Sequence, residues 1–75
     1  MAKKVVVKLS SLLAERDMSL NQLSDLTGVR RAALSEIANH KRERIQFEHI
    51  EKIAEALNID DIREIITIMT IPDEE

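Results

Sequence analysis

The sequence predicts a small, mostly α-helical domain of five helices, closed by a two-stranded antiparallel sheet from the two chain ends. Apolar residues recur at helical spacing through most of the chain, and only one Gly and one Pro interrupt it. β-branched residues concentrate near both ends, which favours strands over about residues 4–7 and 67–71. A length of 75 residues fits a single domain that spans residues 1–75.

The composition limits how so small a domain is stabilised. There is no Cys, and two His are too few for the ligand set of a typical zinc site. The remaining source of stability is regular helix packing, helped by a partner chain. We therefore expect no metal and no cofactor. We also expect no enzyme, because the chain has no nucleophile elbow and is too small to shield chemistry from water.

Targeting and membrane segments are not expected either. The basic start carries only three apolar residues before the next charge, whereas a secretory signal needs roughly 7–15. The longest nonpolar run, residues 65–71, is far short of the about 20 residues of a membrane helix. We expect a soluble, cytoplasmic protein without a membrane partner.

The first half of the chain carries the clearest local signals. A helix over residues 8–17 follows the first strand. Ser19 and Gln22 then form a capping-box pattern, which predicts the start of a second helix with Leu20, Leu23 and Leu26 turned inward. The only Gly, Gly28, is expected to end this helix in the left-handed conformation.

A third helix is predicted from Arg31 to Ala38, ended by a left-handed Asn39. The fourth helix covers Phe47 to Leu57, and Asp60 is expected to cap a short fifth helix that runs through Ile66. The inner face of the third helix is then Ala33, Leu34 and Ile37.

Charge is distributed unevenly along the chain. The net charge is −3, but residues 30–44 carry +3 and residues 45–75 carry −7. A basic middle beside an acidic end allows one face to meet phosphate although the whole protein is acidic.

Two helices of similar length joined by a turn with Gly form a helix-turn-helix pattern over about residues 19–38. The segment over residues 19–41 reads SLNQLSDLTGVRRAALSEIANHK. It resembles the Cro/repressor-type (Xre) helix-turn-helix family of bacterial and phage transcription regulators, and the resemblance extends over roughly residues 8–66. It implies a lambda-repressor-like domain in which the helix after the turn enters the DNA major groove.

The resemblance also implies which residues meet DNA. Base contacts are expected from Arg31, Ala32, Ser35 and Glu36. If Ala33, Leu34 and Ile37 face the core, helical geometry turns the same four residues outward. Arg suits guanine, Glu accepts from cytosine N4, and Ala contacts the thymine methyl group. Phosphate contacts are expected from Asn21, Gln22, Arg30, Asn39, Lys41, Arg42 and Arg44.

The implied function is sequence-specific binding of double-stranded DNA by a small transcriptional regulator, a repressor. We expect a homodimer on a pseudo-palindromic operator, because the end strands expose an apolar face. The alternative is a protein-interaction module, such as an antitoxin whose main partner is another protein. The acidic second half of the chain and the exposed strand over residues 67–71 suit that alternative.

Overall fold

The protein folds into four α-helices, one 3₁₀ turn and two strands over residues 1–39 and 44–72, which the computed structural model describes. In chain order the elements are β1 (Ala2–Val7), α1 (Leu9–Glu15), α2 (Leu20–Thr27), α3 (Arg31–Ala38), α4 (Phe47–Leu57), the 3₁₀ turn (Ile62–Glu64) and β2 (Ile66–Ile71). None of these helices combines the length and the hydropathy that a bilayer crossing requires.

One hydrophobic core joins all the helices. Each helix contributes one completely buried side chain, and Ile65, just before β2, contributes a fifth. The helical members are Leu9, Leu23, Leu34 and Ile53. Burying a side chain of this size stabilises the fold by about 1.5–3 kcal/mol. The helical spacing of apolar residues in the sequence therefore determines the packing, since each helix turns its apolar face toward the same core.

The two chain ends pair as an antiparallel ribbon, as the sequence predicts. Its register runs from Ala2 opposite Ile71 to Val7 opposite Ile66. The inner end is tied to the core because Val7 and Ile66 pack against it. The outer end is exposed on both strands. The ribbon is longer than predicted at both ends of the chain, since β1 begins at Ala2 and β2 at Ile66.

The predicted fifth α-helix is wrong, because the described residues after α4 form only one 3₁₀ turn. The predicted cap Asp60 is wrong too, since Asp61 accepts the backbone N–H of Arg63 at 2.9 Å. The reason is the ribbon. Lys8 donates its backbone N–H to the carbonyl of Ile65 at 2.6 Å, and strand pairing begins at the next residue. The chain must be extended there and has no room for a second helical turn.

Asp61 also forms an exposed ion pair with Arg63, with 2.8 Å between Arg63 Nη2 and Asp61 Oδ2. The side-chain hydrogen bonds from Arg63 lower the pKa of the Asp61 carboxyl from 3.8 to about 2. The carboxylate therefore remains ionised well into the acid range. The same carboxylate accepts the backbone N–H of Arg63 and thereby caps the start of the 3₁₀ turn.

Two smaller expectations are also wrong. Leu26 is 59% exposed. The inner face of α2 passes through Leu23 and Thr27, and Leu26 lies roughly 100° from Thr27 around the helix axis, beyond Leu23. Asn39 ends α3 with φ −96° and is not left-handed. The left-handed asparagine is instead Asn58, with φ 55°, at the end of α4.

Candidate nucleic-acid interface

The start of α2 is fixed by a reciprocal capping box, as the sequence predicts. The backbone N–H of Gln22 donates to Ser19 Oγ at 3.1 Å, and the backbone N–H of Ser19 donates to Gln22 Oε1 at 2.8 Å. Two otherwise unpaired donors at the helix start are thereby satisfied. The cap uses the amide oxygen of Gln22, so its Nε2 group is the part of this side chain that is suited to a phosphate.

The turn between α2 and α3 depends on Gly28, which is left-handed with φ 75° as predicted. Its N–H donates to the carbonyl of Ser24 at 2.9 Å. Two hydroxyls then hold the next residue. Ser24 Oγ donates to the Val29 carbonyl at 2.7 Å, and Thr27 Oγ1 accepts the Val29 N–H at 3.1 Å. Val29 is buried beneath the turn, so the angle between the two helices is held by packing and hydrogen bonds together.

The helix after the turn, α3, divides into a buried and an outward face. The inward side chains are buried, as predicted, and Ala38 joins them. They are Ala33, Leu34, Ile37 and Ala38. On the other side, Arg31 and Ala32 are exposed, and Ser35 and Glu36 are half-buried. The four residues expected at DNA bases therefore all lie outside the core.

Ser35 and Asn39 are linked on this outward face. Asn39 Nδ2 donates to Ser35 Oγ at 3.2 Å, across one helical turn. This bond orients the hydroxyl of Ser35 and ties the exposed Asn39 side chain to the helix. At the other end of α3, Arg30 occupies the N-cap position with an exposed side chain that makes no capping hydrogen bond. Its guanidinium is not needed to start the helix.

The residues expected at phosphates lie at several places in the fold. Asn21 and Gln22 are exposed in the first turn of α2, and Arg44 is exposed before α4. Two further members of this set, Lys41 and Arg42, lie outside the described residues. The roles of these side chains at DNA are predictions.

A polar cleft beside α3 adds residues that the sequence did not single out. It is lined by Arg30, by Gln46 just before α4, and by Glu48, His49 and Lys52 of α4. Lys52 Nζ lies 3.7 Å from Glu48 Oε2. The only sequence signal was that Lys52 is one of two cations in an otherwise acidic stretch. Only the tertiary fold brings Lys52 close to the turn between α2 and α3.

Across residues 1–39 and 44–72, no three His, Asp or Glu side chains come together in a way that would hold a metal ion.

Comparisons with known proteins agree with this geometry. A family model described as the Cro/C1-type HTH DNA-binding domain matches residues 8–70. The crystal structure of the transcriptional regulator VanUg (Form II) is similar, with a TM-score of 0.70 and 28% sequence identity. That similarity covers 92% of this chain and 89% of VanUg. A search of curated proteins gave no match.

Proposed function

Because the chain belongs to the Cro/C1-type helix-turn-helix DNA-binding domain family, we propose that it is a small transcriptional repressor that recognises a specific double-stranded DNA site. In this proposal α3 lies in the major groove and α2 crosses the sugar-phosphate backbone. The similarity to VanUg, itself a transcriptional regulator, supports the regulatory role.

The observation that carries the proposal is the outward face of α3. Its buried side fixes the helix against the core, so the side chains opposite can enter a groove without disturbing the fold. Arg31 has the fork that matches guanine O6 and N7, and Ala32 is small enough to meet a thymine methyl group. Glu36 is suited to accept from cytosine N4, and Ser35 reads either donors or acceptors.

Phosphate contacts would position this helix. Arg30 and Arg44 are exposed cations on either side of α3 in the sequence, and Asn21 and Gln22 present polar groups at the start of α2. Such contacts set register and orientation without reading sequence. Asn39, Lys41 and Arg42 complete the proposed set.

We further propose that the protein binds a pseudo-palindromic operator as a homodimer. The outer part of the ribbon exposes Val5 and Ile68, and an isolated two-stranded ribbon is only marginally stable in water. A two-fold dimer would cover this apolar surface and present two α3 helices to half-sites about 34 Å apart.

A titration of labelled mixed-sequence duplex DNA at two salt concentrations tests the proposal. If each dimer makes roughly 6–10 phosphate contacts, the affinity should fall by about 10³–10⁵ between 50 and 200 mM salt. Arg30→Gln should lower the slope of log affinity against log salt by about two units, because each dimer carries the change twice. Lys4→Gln, which removes the same charge from β1, is the matched control and should leave the slope unchanged.

Duplex binding that is absent at low salt would contradict the proposal. So would a salt slope that Arg30→Gln and Lys4→Gln change equally, because the arginine would then have no special relation to the DNA. In either case a protein-interaction module would account better for an acidic domain with an exposed apolar ribbon.

A further inference from the structure

An apolar groove lies between the start of α4 and the 3₁₀ turn, and none of its lining residues is among those proposed to meet DNA. Its volume is about 270 Å³, and it is lined by Ile45, Phe47, Ile50, Glu51, Ile62 and Ile66. Phe47 is 82% exposed and Ile62 is 58% exposed, so two large apolar side chains of the groove are mostly uncovered. A large apolar surface of this kind on a small domain indicates an interaction site.

The ribbon continues this surface. Side chains alternate between the two faces of a strand, so Val5 and Ile68 lie on the same face as the core-packed pair Val7 and Ile66. Val5 is 57% exposed and Ile68 is 65% exposed. Because Ile66 belongs both to this face and to the groove, the two apolar surfaces meet at one residue.

Charge distinguishes the two parts of this surface. Lys3 lies on the same ribbon face as Val5, two residues further out, and donates from Nζ to Thr70 Oγ1 at 2.9 Å. The groove instead carries the exposed carboxylate of Glu51. The ribbon face is therefore basic and apolar, and the groove is acidic and apolar.

We infer that the occupant of the groove is the ribbon of a second copy of this chain. In a two-fold interface each surface patch meets its counterpart reciprocally, so the ribbon of either copy would cover the groove of the other. Val5 and Ile68 of one copy would pack on Phe47 and Ile62 of its partner. Lys3 would approach Glu51, and this opposite charge selects a ribbon-to-groove arrangement over ribbon-to-ribbon packing.

The inference rests on the homodimer of the proposed function and assigns its interface. None of the residues involved belongs to α3 or to the turn before it, so the interface does not use the residues expected at DNA bases. Dimerisation and DNA contact would thus use separate surfaces of one small domain.

Sedimentation equilibrium of paired ribbon variants tests the inference. Ile68→Thr removes an apolar side chain from the inferred interface and keeps a β-branched residue in the strand. It should weaken dimerisation by about 10- to 100-fold, since each dimer carries the change twice. Met69→Thr makes a comparable change at the next residue, on the opposite face of the ribbon, and should leave the dimer unchanged.

A charge exchange provides a second test that is independent of strand stability. Lys3→Glu and Glu51→Lys should each weaken the dimer by about tenfold, and the double variant should return to within about threefold of the parent. Lys4→Glu, with the same charge change on the opposite ribbon face, is the control and should have little effect.

The inference is overturned if the parent is monomeric at high micromolar concentration, if Ile68→Thr and Met69→Thr act equally, or if the charge exchange gives no rescue. Binding to a duplex with one half-site, measured on the same variants, separates this failure from that of the proposed function. A monomeric parent that still binds the half-site duplex would overturn the interface alone. A stable dimer that binds no duplex would support the interface and overturn the DNA-binding proposal.

Discussion

Gly28 is the residue on which the geometry of the turn depends. A Cβ built at this position would meet nothing within 4 Å, so space does not explain the choice of Gly. Its φ of 75° does, because a β-branched side chain is strongly strained in the left-handed region. The neighbouring hydroxyls of Ser24 and Thr27 then hold the chain in that conformation.

Replacing Gly28 should therefore cost stability through the backbone alone. We expect Gly28→Val to lower the free energy of unfolding by at least ~1 kcal/mol, and Gly28→Asn by clearly less because Asn tolerates this conformation. Thermal denaturation followed by circular dichroism measures both, and about 1 kcal/mol corresponds to 4–8 °C in a domain of this size. Equal melting temperatures for Gly28→Val and the parent would contradict the role of the turn.

Residue-scale features were predictable from the sequence where their cause is local. The capping box and the left-handed Gly28 depend on residues three or four apart, and both predictions are confirmed. Asn39 and Asn58 follow different helices and look alike in the sequence, yet only Asn58 is left-handed. Its conformation lets Ile59, which is buried, donate its N–H to the carbonyl of Ala54 at 2.8 Å. This packing is not visible in the order of the residues.

At the scale of elements, Arg16 links the end of α1 to the end of α4. Its Nη1 donates to the carbonyl of Leu57, the last residue of α4, at 2.9 Å. The final carbonyls of a helix lack partners within the helix, and a cation there also interacts favourably with the helix dipole. Arg16 therefore satisfies a group that the helix itself leaves open, 41 residues away in sequence.

Removal of this link should destabilise the fold without affecting DNA contacts. Arg16→Met keeps most of the apolar stem and removes the donor and the charge, and we expect a loss of about 0.5–1.5 kcal/mol. Lys4→Met, which removes an exposed positive charge from β1, should change stability far less. Chemical denaturation with both variants gives the comparison. Equal effects would show that net charge, and not the bond to α4, is responsible.

The sequence predicted the four α-helices and the ribbon but not the element between them. Helical periodicity identifies an apolar stripe, and Ile62, Ile65 and Ile66 supply one. The structure uses that segment differently, since Ile65 is buried, Ile66 starts β2 and Ile62 is left 58% exposed. Pairing of β2 with β1 prevents this segment from forming an α-helix. The exact residue at which that pairing begins depends on a contact between distant parts of the chain, which neighbouring residues do not reveal.

At the scale of the whole molecule, function follows from how the fold separates its surfaces. Taken alone, the acidic composition of the second half of the chain argues against a nucleic-acid partner. The arrangement of charges in the fold removes that objection. In the structure, Arg30, Arg31 and Arg44 are exposed around α3, whereas the groove beside α4 carries a carboxylate. The outward face of α3 could be predicted because its inner face is plainly apolar. The polar cleft with Gln46, His49 and Lys52 could not, since α4 approaches the turn only through tertiary packing.

The most direct test of the central claim, that α3 reads DNA sequence, compares Arg31→Ala with Arg44→Ala. Each variant is titrated against a duplex selected by the parent from a random library and against random duplex. Arg31→Ala should cost about 1–3 kcal/mol on the selected duplex and much less on random DNA. Arg44→Ala should weaken both duplexes equally and lower the salt slope by about two units, one for each copy in the dimer. If Arg31→Ala weakens selected and random duplexes by the same factor, Arg31 is a phosphate contact and the claim is contradicted.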